Sequence, residues 1–153
     1  MVKFDYNRDF STIDFRKNPE LYQIGIGEQG VLLVEPYKSE ILPYWCFKTP
    51  DVARESAQTI YNLFLDYKSQ ADFVGMDMAR KFLQMGYTRS RRYANHKTGI
   101  KWNKNKTMVL PREIDDEKAQ SASIFYEYYL NAKNDPLYIN LKLQHKKLYE
   151  PQE

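Results

Sequence analysis

The sequence contains very little cysteine and histidine. Among 153 residues there is one cysteine, Cys46, and there are only two histidines. A single cysteine excludes an intramolecular disulfide, and these three residues are too few for an ordinary structural zinc site of cysteine and histidine ligands. We therefore expect no metal and no cofactor, and the low cysteine content favours a reducing, cytoplasmic environment.

Long apolar runs are absent as well. The longest run, Val31 to Val34, is far shorter than the roughly 20 apolar residues that a membrane-spanning helix needs. The first ten residues, MVKFDYNRDF, carry charges at short intervals and lack the apolar core of a signal peptide. These features argue against secretion and against membrane insertion.

The length and composition are typical of a globular domain. Hydrophobic residues make up 42% of the chain and charged residues 28%, which argues against disordered, collagen-like and coiled-coil classes. We expect one compact domain over residues 1–153, with an α+β fold that is mostly α. About four or five helices would accompany a small β element of two or three strands. The oligomeric state is left open.

Several helices are predicted from capping residues and apolar spacing. Thr49, Pro50 and Asp51 form an N-terminal capping sequence, and apolar residues then recur at three- and four-residue spacing to about Lys68. A second helix is expected from Asp72 to a glycine stop at Gly86. The remaining predictions are a short helix near 19–22, one over 88–95, a long one after the acidic residues 113–117, and a last one from Pro136 to about 148.

The predicted β element rests on short apolar or β-branched segments. Val31–Val34 follows a glycine turn, and further short strands are expected at Tyr44–Phe47 and Thr107–Leu110. Residues 97–112 are rich in lysine and asparagine and are predicted to be a basic loop that is mobile.

Charge is distributed very unevenly along the chain. Between Met78 and Arg112 there are ten lysines and arginines and no aspartate or glutamate. The rest of the chain holds 13 basic and all 20 acidic residues, so the net charge of +3 conceals a bipolar sequence. Arginine forks chelate phosphate oxygens and aromatic rings stack on unpaired bases, so this segment suits nucleic acid or another polyanion. A solvated face, or pairing with the acidic remainder of the chain, is the alternative.

The candidate nucleic-acid or phosphate-binding residues are the cations and rings of this segment. They are Arg80, Lys81, Arg89, Arg91, Arg92, Tyr93, His96, Lys97, Lys101 and Trp102.

Other candidate chemistry carries less weight. Gly25 to Gly30 matches the dinucleotide pattern G-x-G-x-x-G, but an apolar strand-like segment follows it where the pattern requires a helix, so a plain glycine turn is the preferred interpretation. His96 lies among cations and has no evident nucleophile partner, and Cys46 between two aromatic residues suggests a small buried side chain. Asp115, Asp116 and Glu117 are explained by their position at a helix start, without a bound ion.

Long ungapped segments carry a family resemblance. Among them are IGIGEQGVLLVEPYKSEILPYWCFKTP and MARKFLQMGYTRSRRYANHKTG. Over Phe4 to Gly99 the chain resembles a family of small cytosolic proteins of unknown function from bacteria, fungi and large phages. The resemblance implies a single-domain protein and supplies no catalytic residues. It places segments 25–38 and 80–99 within the family pattern, so we treat them as candidate walls of one pocket. Segment 25–38 is the second wall of this pocket, and its candidate residues are Gly27, Glu28, Gln29, Tyr37 and Lys38.

Three functions follow as hypotheses. The first is a small accessory protein that binds nucleic acid or recognises phosphate through the acid-free segment. The second is a small-molecule-binding protein or enzyme with a pocket between segments 25–38 and 80–99, although an enzyme is the less favoured outcome. The third is a structural or protein-interaction role.

Overall fold

The computed structural model describes residues 3–95 and 116–151, and this part of the chain is helical. Three single turns of 3-10 helix occur at Phe10–Thr12, Pro19–Leu21 and Leu42–Tyr44. The α-helices are α1 at Tyr37–Ile41, α2 at Pro50–Ser69, α3 at Phe73–Asn95, α4 at Asp116–Lys133 and α5 at Pro136–Tyr149. Within the described ranges, no helix is both long and apolar enough to cross a membrane.

The expected α+β fold is wrong for the described residues, which contain no strand. Val31 to Val34 form consecutive turns, because the backbone N–H of Val31 donates to the Glu28 carbonyl at 3.1 Å and that of Leu33 donates to Gly30 at 2.9 Å. Local hydrogen bonds thus satisfy backbone groups that a strand would offer to a neighbour. Val31 and Val34 are nevertheless buried. The apolar character of this run therefore indicates burial and not an extended backbone.

The second expected strand, Tyr44–Phe47, is also absent. Tyr44 ends a 3-10 turn, and the following residues find partners on helices. The Trp45 indole N–H donates to the Phe82 carbonyl at 3.0 Å, and the Cys46 N–H donates to the Ser56 hydroxyl at 3.0 Å. Two further expectations, the strand at Thr107–Leu110 and the mobile loop at 97–112, lie outside the described residues.

The predicted helix starts after Thr49, after Asp72 and at Pro136 are confirmed, and a side chain caps each of them. Val52 N–H donates to the Thr49 hydroxyl at 3.2 Å at the start of α2. Gly75 N–H donates to Asp72 at 3.1 Å at the start of α3, and Tyr138 N–H donates to Asp135 at 3.1 Å at the start of α5. Each cap satisfies a backbone donor that the first helical turn leaves unpaired.

The predicted stop at Gly86 is wrong, and α3 continues through it to Asn95. A Cβ atom built on Gly86 would lie 2.3 Å from Cδ1 of Phe125, so the glycine is needed for the close approach of α4. Ser90 and Ala94, at four-residue intervals after it, are also small and buried. Helices α2, α3 and α4 pack on one another around a core that includes Ile60 and Phe82.

Candidate functional site

In its described part, residues 78–95, the acid-free basic segment has a buried start and exposed arginines near the end of α3. Arg80 and Lys81 retain only 5% and 0% of their solvent exposure. Arg89 and Arg92, two to three turns further along α3, are exposed, and Arg91 is half-buried. Because α3 rises about 1.5 Å per residue, the buried and exposed groups are separated by roughly 14 Å along the helix axis.

The buried start is organised around Asp77, which has no solvent exposure. Its Oδ1 accepts hydrogen bonds from Arg80 Nη2 at 2.6 Å and from the Tyr138 hydroxyl at 2.5 Å. Its Oδ2 accepts a hydrogen bond from the Tyr22 hydroxyl and lies 3.8 Å from Lys81 Nζ. Both oxygens are thereby engaged, as a buried charge requires. We call Tyr22, Asp77, Arg80, Lys81 and Tyr138 the Asp77 cluster.

Burial and charge act in opposition within the Asp77 cluster. Burial alone would raise the pKa of Asp77, but the charges of Arg80 and Lys81 and the two tyrosine hydroxyls hold that pKa well below its usual range. Burial lowers the pKa of Lys81 to about 8, although Asp77 favours its charged form. Burial and the negative charge of Asp77 raise the pKa values of Tyr22 and Tyr138, so both hydroxyls remain donors at neutral pH.

The glycine loop lies directly on this part of α3. Arg80 Nη1 donates to the Gly27 carbonyl at 2.6 Å, and Lys81 Nζ donates to the Gln29 carbonyl at 2.6 Å. Two turns further along α3, the Thr88 hydroxyl donates to Glu28 at 2.9 Å. The loop therefore presents carbonyl oxygens to cations, whereas a phosphate-binding loop presents backbone N–H groups to an anion.

The other two residues assigned to the second wall lie elsewhere. The Tyr37 hydroxyl donates to Asp72 at the start of α3 at 2.7 Å, and Arg16 lies 4.7 Å from the Tyr37 ring centroid. Lys38 is half-buried on the same short helix, α1. Of the predicted wall, only residues 27–29 are hydrogen-bonded to the described part of the other segment, residues 80–95.

The C-terminal end of α3 carries three arginines that have no carboxylate partner in the described part of the chain. Among the described residues, Arg89, Arg91 and Arg92 form no salt bridge. Arg91 lies at a surface groove of about 690 Å³ between the starts of α2 and α4. That groove has mixed charge; its charged lining residues are Asp51, Arg54, Arg91, Asp116 and Glu127.

An aromatic row adjoins the exposed arginines. Tyr93 is half-buried, and its ring centroid lies 5.8 Å from that of Phe47, which in turn lies 5.2 Å from that of Trp45. Tyr93 follows Arg89 by four residues, so the two side chains share one side of the helix. Cys46 is exposed, and its expected burial is wrong. The candidates His96, Lys97, Lys101 and Trp102 lie outside the described residues.

Several residues at these sites were not singled out from the sequence. Asp77 immediately precedes the acid-free segment, and its spacing of three and four residues to Arg80 and Lys81 is the signal that identifies an intrahelical pair. His145 is buried, and its Nε2 lies 2.7 Å from the Tyr22 carbonyl oxygen. Helix α5 also lacks acidic residues, and this second acid-free run includes Lys142.

Comparison with known proteins adds a family to this description. No curated protein and no solved structure matches the chain. A family model described as a domain of unknown function, DUF4385, matches residues 5–148. The expected membership of a family without an assigned function is confirmed, and the chain belongs to the DUF4385 family.

Proposed function

We propose that this protein binds nucleic acid through the exposed C-terminal end of α3. The observation that carries the proposal is that Arg89 and Arg92 are exposed and have no carboxylate partner in the described part of the chain. The arginine at the start of the basic segment is different, because Arg80 is buried and forms a salt bridge with Asp77. Internal pairing therefore accounts for Arg80 but, among the described residues, not for Arg89 and Arg92.

The chemistry of these side chains suits a phosphate backbone. A guanidinium group presents several N–H donors in a planar fork that matches two phosphate oxygens. Arg89 and Arg92 are three residues apart, so they project to neighbouring positions on one side of α3. Tyr93 adds a partly exposed ring beside them, which supports base stacking on a single strand.

The acid-free basic sequence continues beyond the described helix. After Asn95, five more basic residues follow without an acidic residue through Arg112. Electrostatic attraction to phosphate does not require sequence readout, so the proposal is for binding with little base specificity. The low cysteine content supports a cytoplasmic location for this activity.

The pocket alternative has less support from the geometry. The polar groups of residues 27–29 are already bound to Arg80, Lys81 and Thr88. A ligand between these segments would have to replace those hydrogen bonds, which link a buried charge cluster to the glycine loop.

Fluorescence anisotropy with labelled single-stranded and duplex DNA and RNA tests the proposal. The wild-type chain is compared with the double variant Arg89→Ala, Arg92→Ala and with a control, Lys3→Ala, Lys17→Ala, which removes the same charge from exposed positions near the N-terminus. We expect the first variant to bind at least tenfold more weakly and the control to bind like the wild type. Equal affinity of all three proteins would overturn the proposal, as would an absence of binding by the wild type.

A further inference from the structure

Helix α5 contains a second group of cations on an acid-free stretch. Residues Pro136–Tyr149 include Lys142, Lys146 and Lys147 and no aspartate or glutamate. Lys146 and Lys147 are exposed, whereas Lys142 is half-buried. Within the described residues, the Lys142 amine has neither a hydrogen bond nor an ion pair. A half-buried ammonium group without a partner is uncommon because its desolvation is not compensated.

The position of Lys142 places it against the Asp77 cluster. Tyr138, one helical turn earlier on α5, accepts a hydrogen bond from Arg80 Nε at 3.1 Å. Tyr138, Lys142 and Lys146 follow one another at four-residue spacing, so they share the side of α5 that faces this cluster. Burial and the positive charges of Arg80, Lys146 and Lys133 lower the pKa of Lys142, while Asp77 acts in the opposite direction.

The carboxylate of the Asp77 cluster is already engaged, and Glu150 has one hydrogen-bond partner. Asp77 is bound by Arg80 and both tyrosines. Glu150, which follows α5, accepts a hydrogen bond from the backbone N–H of Ile24 at 3.4 Å. Arg80 Nη1 also donates to Gln84 Oε1 at 2.8 Å. Cations and donors thus outnumber the anions available to them.

We propose that Lys142, together with Lys146 on the same side of α5, binds a phosphate group beside the Asp77 cluster. A phosphate would give the Lys142 amine its missing acceptor and would offset the repulsion that Lys142 experiences from neighbouring positive charges. The site uses none of the arginines at the end of α3. It can therefore be tested independently of the nucleic-acid surface proposed above. The phosphate belongs either to a small phosphorylated molecule or to a nucleic-acid backbone.

Thermal unfolding at constant ionic strength tests this site, with inorganic phosphate and pyrophosphate as ligands and chloride as the reference salt. We expect a saturable rise in Tm for the wild type, because a ligand that binds only the folded state stabilises it. Lys142→Met should lose that rise, and Lys142→Arg should keep it. Without ligand, Lys142→Met should melt at or above the wild-type temperature, because it removes an unpaired, repelled charge.

The control is Lys147→Met, which removes one charge from an exposed position on the same helix. It should keep the phosphate-dependent rise, and so should the Arg89→Ala, Arg92→Ala double variant. To distinguish the two sources, the affinities for pyrophosphate and for a labelled oligothymidylate are each measured with the wild type and with Lys142→Met. The source of the phosphate is the ligand whose affinity falls more in the variant.

A second measurement needs no variant protein. The NMR signal of the Lys142 ε-methylene group in the wild-type chain should shift saturably with pyrophosphate. The proposal is overturned if neither pyrophosphate nor the oligonucleotide affects Lys142, or if Lys142→Met and Lys147→Met respond identically.

Discussion

Asp77 and Arg80 form a salt bridge of 2.6 Å inside the protein, with 0% and 7% of their side-chain surfaces exposed. They lie one turn apart on α3, so the helix itself sets their spacing. The same Arg80 donates to the carbonyl of Gly27 at 2.6 Å. A charge pair within one helix therefore also holds the glycine loop against that helix.

Removal of the Asp77 charge should strongly destabilise the fold. Asp77→Asn would leave Arg80 and Lys81 buried without their counter-ion, and breaking a buried pair in this way costs about 3 to 5 kcal/mol. Urea unfolding measures the change. Glu55→Gln, at an exposed position of α2, is the control and should stay within about 0.5 kcal/mol of the wild type. A loss below about 1 kcal/mol in Asp77→Asn would contradict the structural role assigned to Asp77.

Lys81 should make stability depend on pH in mildly alkaline solution. Its pKa is about 8 in the folded protein, whereas an unfolded lysine titrates near 10.4. Between these values the unfolded chain binds more protons than the folded one, so the contribution of Lys81 to stability rises with pH, by up to about 1.4 kcal/mol per unit. Tyr22 and Tyr138 act in the opposite direction above pH 10, because their pKa values are raised.

The comparison that isolates Lys81 is the unfolding free energy of the wild type minus that of Lys81→Met, measured from pH 7 to pH 10. The tyrosines are present in both proteins, so their contributions largely cancel. The difference should increase above pH 8. A difference that stays constant over this range would show that Lys81 titrates normally in the folded state.

Gly86 should not tolerate a side chain despite its helical position. Alanine at an ordinary helix site gains about 1 kcal/mol over glycine, but here its Cβ would lie 2.3 Å from the Phe125 ring. We expect Gly86→Ala to destabilise the protein by about 1 to 3 kcal/mol, the usual cost of overpacking.

A double-mutant cycle with Phe125→Leu tests whether this ring is the cause. The double variant should lose less stability than the two single changes combined. Asn131→Ala, at an exposed position of α4, controls for helix propensity and should be near neutral. If Gly86→Ala were stabilising, the close contact between α3 and α4 would be disproved.

Local sequence signals predicted the helix starts because caps act over only a few residues. Thr49 and Asp135 hold the first turns of their helices with their own side chains, so no tertiary information is needed. Gly86 was misinterpreted because a glycine that ends a helix and one that admits a neighbouring ring look alike in sequence. Only Phe125, 39 residues later in the chain, distinguishes them.

At the candidate site, too, the sequence predicted local features but not those that depend on tertiary contacts. The sequence located the positive charge but could not separate the buried Arg80 from the exposed Arg89, because burial depends on the packing of Tyr22 and Tyr138 from distant segments. The apolar run at Val31–Val34 was ambiguous in the same way, because buried valines occur in turns as well as in strands. Tertiary contacts decided each case.

The salt dependence of nucleic-acid affinity shows whether the exposed arginines of α3 contact phosphate. The logarithm of the association constant for a labelled oligothymidylate is plotted against the logarithm of salt concentration for the wild type and for Arg89→Ala, Arg92→Ala. Each lost phosphate contact reduces the slope by about 0.7 on a single strand, so the account predicts a difference of roughly 1.4 between the two lines. Parallel lines would contradict it, because the exposed arginines of α3 would then make no contact with phosphate.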